Sequence, residues 1–211
     1  MPTRRFSLAL AGAAALAPLA AGAPPASTQQ AEQAPPQHIR GTLKSAGDGK
    51  ITVETPRGRT DTIALPPSAG VFLVTPADLG AIKPGRFVGV TSVEQGDKRV
   101  AREVHVFEES LRGRGEGHYP WDLESGPNMM TNANVAQVEE VGADRVLRLS
   151  YKGGEQTIEV PPNATIVLFD KATPDQLVPG RRVFVVARKG ADGALTANGV
   201  VVGAEGVKPP M

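Results

Sequence analysis

The chain has 211 residues, with 24 glycines, 19 prolines and only 4% aromatic residues, which predicts small, turn-rich β domains rather than one large core. It has no cysteine, which excludes disulfides, thiolate metal sites and cysteine nucleophiles. Its formal charge is +1, and removal of Arg4 and Arg5 with a leader takes two positives and leaves −1, too close to neutrality to hold DNA or an anionic membrane by bulk charge.

The first residues read as a signal peptide over 1–22. Arg4 and Arg5 precede an Ala/Leu-rich apolar run at 6–19, and Ala20-Ala21-Gly22-Ala23 supplies small residues for cleavage. The run is short for a membrane span, and Pro24 favours a cut after Ala21 or Gly22. Thr3-Arg4-Arg5-Phe6-Ser7-Leu8 also resembles a twin-arginine export signal. The expectation is a soluble periplasmic or secreted protein with no integral membrane span after signal removal. Residues 23–37, rich in Pro, Gln and Ala, read as a disordered tether, and 204–211 as a disordered tail.

Between them lies an internal repeat. Thr62-Ile63-Ala64-Leu65-Pro66-Pro67 returns as Thr157-Ile158-Glu159-Val160-Pro161-Pro162, and Pro84-Gly85-Arg86 returns as Pro179-Gly180-Arg181. Val88 and Val90 return as Val183 and Val185, always at an offset of 95 without a gap. Copy one, 38–107, predicts strands near 38–45, 50–55, 61–65 with 71–74, 86–93 and 99–107, from alternation such as Ile51 with Val53 and Val104 with Val106. Glycines at 45–49 and 56–58 mark hairpin turns, and Thr75-Pro76-Ala77-Asp78 predicts a short helix capped at Thr75. Copy two, 134–203, predicts the same order: 135–140, 145–151, 156–160 with 165–169, a turn of helix at 173–177, 181–188 and 195–202. His105 alternates with Val104 and Val106 and is therefore expected to face solvent.

This order predicts an all-β protein of two tandem OB-like five-stranded barrels, each with one short helix. Copy one, with Gly-Thr, Gly-Lys-Ile-Thr-Val and Pro-Gly-Arg-Phe-Val-Gly-Val, resembles a bacterial secreted OB-like domain family of unknown function, and copy two carries the matching Pro-Gly-Arg-Arg-Val-Phe-Val. These are turn and core residues, so the resemblance implies a fold and no activity.

Residues 108–133 fall between the copies as a connecting segment. They hold Gly117-His118-Tyr119-Pro120-Trp121-Asp122, with the only tryptophan of the chain. One reading is a structural anchor, in which Tyr119, Trp121 and Leu123 cover an open barrel end or the seam between barrels; burying a large aromatic is worth about 1.5–3 kcal/mol. The other is a metal site on His118 and Asp122, with Glu116 as a further oxygen donor and Met129 or Met130 as a soft sulfur, suited to copper or zinc. The same stretch resembles uncharacterised secreted proteins, some labelled metal-transporter permeases. A permease needs several apolar spans of about 20 residues, and the chain has none.

Other patterns carry less. Gly113, Gly115 and Gly117 lack the Gly-Lys-Ser/Thr of a phosphate loop, and Ser110 or Ser125 with His118 and Asp122 lacks a rigid nucleophile elbow. Nucleic acid is not an expected partner: the net charge is +3 over 38–107, zero over 134–203 and −3 over 108–133, with few aromatics to stack on bases. The sequence thus points to an exported, non-enzymatic binding or envelope-assembly module without a cofactor, whose partner is an unknown envelope protein or small ligand. A periplasmic metal-binding accessory protein is the alternative.

Overall fold

The computed structural model describes residues 35–123 and 126–211; the expected signal peptide and most of the tether lie outside the described residues. Copy one forms six strands: β1 (Gln37–Gly47), β2 (Lys50–Glu54), β3 (Thr60–Ala64), β4 (Gly70–Pro76), β5 (Phe87–Gln95) and β6 (Lys98–Phe107). After β7 (Gly117–Trp121), copy two repeats the order as β8 (Asn128–Val141), β9 (Asp144–Tyr151), β10 (Gly154–Val160), β11 (Thr165–Ala172), β12 (Arg182–Lys189) and β13 (Leu195–Gly203). The stretch expected as one interrupted strand in each copy is two separate strands, with Pro66-Pro67 or Pro161-Pro162 between them. The only helices among the described residues are single 3-10 turns. The turn after β4 is capped by Asp78, whose carboxylate accepts from the Gly80 amide at 2.8 Å; Thr75 and Pro76, expected as its start, end β4 instead.

The protein is all-β, and its strands form a single thirteen-stranded sheet. Pairing within that sheet differs from the expectation that each copy folds on itself. The meander β1–β2–β3 does not pair with its own hairpin β5–β6 among the described residues. It pairs with the hairpin of the other copy: Ile39 of β1 lies opposite Val185 of β12, and Ile63 of β3 runs parallel beside Leu195 of β13. Reciprocally, Val88 of β5 lies opposite Ala133 of β8, and Val100 of β6 runs beside Glu159 of β10. Each ring of five strands therefore takes three from one copy and two from the other.

The crossing point is visible in β4 and β11. They pair antiparallel with Val74 opposite Phe169, two positions separated by the repeat offset of 95, so a local two-fold axis passes between them. Each strand also runs parallel along the other copy's last strand, β4 beside β13 and β11 beside β6. The duplicated Pro-Gly-Arg turns then dock each hairpin onto the opposite copy. Gly85 N–H donates to Val135 O at 2.8 Å, and Gly180 N–H donates to Leu43 O at 2.7 Å. Gly85 and Gly180 have φ of +82° and +90°, and a Cβ at either would meet nothing within 4 Å. Gly85→Ala and Gly180→Ala should therefore each cost about 1–2 kcal/mol from backbone strain alone. Urea denaturation of the two variants checks this, and the local symmetry demands nearly equal losses.

Three clusters fill the interior. One ring encloses Leu43, Ile51, Val53 and Ile63 with Val183, Val185 and Val202; the other encloses Val88, Val90, Val104 and Val106 with Leu147, Leu149 and Ile158. The third lies between the rings and gathers Phe72, Phe87, Phe107, Phe169 and Phe184. The connecting segment 108–133 contains β7 and the first half of β8, which pair with each other. Residues 204–211 also depart from expectation. Ala204 N–H donates to Val74 O at 2.9 Å, and Met211 is buried in the central cluster. Val207, at the edge of that cluster, supplies apolar surface that a solvated tail would leave in water. Among the described residues no helix is long and apolar enough to cross a membrane.

Candidate ligand-binding cleft

The central cluster is not completely filled. A cleft of about 200 Å³ opens into it between the rings, walled by Phe72, Phe107, Phe169 and Phe184 and closed on one side by Tyr119 and Trp121. The phenylalanine rings meet at tilted angles, with centroids 5.1 Å apart for Phe72–Phe169 and 4.9 Å for Phe107–Phe169.

β7 positions the aromatic side chains. Its pairing with β8 sets Tyr119 opposite Met130 and Trp121 opposite Asn128. Side chains alternate along a strand, so Tyr119 and Trp121 share the face toward the cleft while His118 and Pro120 take the other. Trp121 is partly buried and packs against His38 at 4.6 Å and Phe184 at 6.1 Å between ring centroids. Burial raises the Tyr119 hydroxyl above its ordinary pKa of 10.0, so it stays protonated at neutral pH.

His118 and Asp122, the two residues of the metal reading, are not brought together. His118 is held on the outer face of β7, with Nδ1 2.8 Å from the Thr131 hydroxyl and its ring stacked on Tyr151. Asp122 accepts instead from His38 at 2.7 Å and from Arg40 at 2.9 Å. Four positions along extended chain separate them by about 13 Å, too far for both to reach one ion. Glu116 is turned elsewhere and accepts from the Lys152 amide at 3.0 Å. Met130 is buried at the cleft, near the Thr91 hydroxyl. Among the described residues no three His, Asp or Glu side chains group as metal ligands.

Electrostatics separate the two positions further. Burial, and then the charge of Arg99, hold the His118 imidazole below its ordinary pKa of 6.5. The folded protein thus binds this proton less tightly than the unfolded chain, so this group makes stability fall as pH drops through 6.5. NMR titration of His118 should give a midpoint below that value, and Arg99→Gln should move it upward. For Asp122, burial disfavours the charge, but the hydrogen bonds from Arg40 and His38 outweigh it and lower the pKa.

His105 is the residue that the alternation pattern misplaced. It does lie opposite in facing to Val104 and Val106, but it is only 2% exposed because both faces of β6 are covered. Its Nε2–H donates to the Pro210 carbonyl at 2.8 Å, and Glu103 stands 3.4 Å away, itself accepting from the Thr91 hydroxyl at 2.7 Å. His105 lines the cleft from below. Beside it, Gly89 leaves room: a Cβ there would sit 2.5 Å from Asn132 Oδ1 and 3.1 Å from the Phe107 ring.

Asn132 and Arg114 were also missed. Asn132 is 8% exposed and uses its amide NH₂ against the Arg114 and Gly115 carbonyls, each at 3.2 Å, and the Tyr119 hydroxyl at 3.1 Å. Two carbonyl acceptors fix which way the amide points. Its Oδ1 is left buried without a partner, as is the Trp121 indole N–H. Arg114 lies with its guanidinium carbon 4.3 Å from the centre of the Phe72 ring. Comparison with family models, with curated proteins and with solved structures finds no match.

Proposed function

We propose that the protein is an exported, non-enzymatic binding module in which two OB-like rings with exchanged strands present one seam cleft to a small ligand. The OB-like description rests on the order within each ring: a three-strand meander closed by a hairpin, with the third strand parallel to the last. Export rests on the leader composition of 1–22. The observation that carries the binding reading is the convergence of four phenylalanines, the only tryptophan and a tyrosine on one unfilled cleft. A ligand site of this kind is concave, mostly apolar and supplied with a few polar groups. Binding is favoured over catalysis because His105, the imidazole lining the cleft, is committed to the Pro210 carbonyl.

Because Trp121 is the only tryptophan, its emission reports on the cleft alone. Titration of the purified protein with a panel of small aromatic and aliphatic compounds should give at least one saturable change in emission with a matching rise in melting temperature. A panel without any such response counts against the cleft as a site. For export, mass spectrometry of the native protein should find a mature N-terminus near Ala23, and an intact Met1 would refute the leader.

A further inference from the structure

Two arginines lie against aromatic rings at the seam, and they differ in one respect. Arg40, 4.9 Å from the centre of the Phe184 ring, is neutralised by the Asp122 carboxylate at 2.9 Å. Arg114, 4.3 Å from the centre of the Phe72 ring, has no carboxylate partner among the described residues. Its backbone is nonetheless fixed, since Asn132 donates to its carbonyl and its own N–H donates to Leu111 O at 3.0 Å. A positioned guanidinium with a free donor fork is the group that recognises a planar carboxylate.

We infer that the cleft binds a single-ring aromatic carboxylic acid, its ring among the phenylalanines and its carboxylate against Arg114. This rests on the cleft being the binding site. The volume of about 200 Å³ sets the size. An enclosed apolar cavity of roughly 150 Å³ holds benzene, so one ring with a short polar arm matches the volume of this cleft. The polar inventory sets the chemistry. Trp121 Nε1 is a buried donor without a partner, Asn132 Oδ1 a buried acceptor without one, and Asn132 is more than nine-tenths buried. The Tyr119 oxygen accepts from Asn132, which leaves its O–H free to donate. A ring hydroxyl on the ligand would donate to Asn132 Oδ1, and a single negative charge matches a single uncommitted cation.

The test compares 4-hydroxybenzoate, its neutral isostere 4-hydroxybenzamide, phenol and acetate by calorimetry on the purified protein, at low and at high salt. The acid should bind at one site per chain, at least tenfold tighter than the amide, and acetate should not bind measurably. Arg114→Gln should weaken the acid at least tenfold and the amide much less, with the melting temperature confirming that the variant is folded. Trp121→Phe, which keeps an aromatic ring and removes the N–H, should weaken the ligands severalfold. If the amide and phenol bind as well as the acid, or if Arg114→Gln binds the acid as the wild type does, the carboxylate assignment is overturned while the cleft stands. If no ring compound binds, the aromatic-acid assignment is overturned, and the cleft falls with it only if the broader emission panel is silent as well.

Discussion

Leu43→Ala is expected to destabilise the whole molecule by about 2–5 kcal/mol, with a single unfolding transition. Leu43 is fully buried among Val53 of its own copy and Val183 and Val185 of the other. Truncating its isobutyl group to a methyl leaves a hole in a ring whose strands come from both halves of the sequence, so neither half can unfold without opening the other. Leu147→Ala, the same deletion in the second ring, should behave alike. Calorimetry decides: the calorimetric and van't Hoff enthalpies should agree for the wild type and for both variants. Two self-contained barrels would instead show one shifted and one unshifted transition in each variant.

Phe169→Ala should cost about 3–5 kcal/mol, because it empties the centre of the molecule. Phe169 is 5% exposed, lies on the local two-fold opposite Val74, and touches the rings of Phe72 and Phe107. The deletion should also enlarge the cleft beside it. Chemical denaturation measures the loss. A cost below about 1 kcal/mol would mean that the seam is loosely packed and that the rings stand without it.

The sequence exposed much of this fold and little of the cleft, for physical reasons. Periodicity and turn residues located nearly every strand of the two copies, because both are local properties of the chain. They could not tell which meander each hairpin closes. Exchange keeps every strand, every alternation and the same partners by type, so the repeat reads identically whether the copies fold alone or together. His105 shows the same limit at the level of one residue. Alternation with Val104 and Val106 set its facing correctly, but solvent on that face was an assumption of a two-layered strand. Exchange lays the seam there, and the side chain is buried. Asn132 and Arg114 gave no signal at all, since the contacts of Asn132 exist only once β7 pairs with β8 and Arg114 stands out only by lacking a carboxylate partner among the described residues. Tyr119 and Trp121 were legible as residues in need of a packing surface, whereas His118 and Asp122 looked like a pair only because four residues of sequence seem short until they are drawn out as extended chain.

The exchanged hairpins also impose a timetable on the chain as it emerges from a ribosome. β1, β2 and β3 come first and pair with one another, but no hairpin of their own copy closes them. The second ring needs β5, β6, β8, β9 and β10, so it can close once residue 160 is out. The first must wait for β12 and β13, ending at Gly203. The earliest-made strands are therefore the last to be enclosed, across separations such as that of Ile39 from Val185, and loop closure of that length slows folding. A chain stopped before β12 would carry one finished ring and one open meander with unpaired edges, the part most exposed to aggregation or to a waiting chaperone.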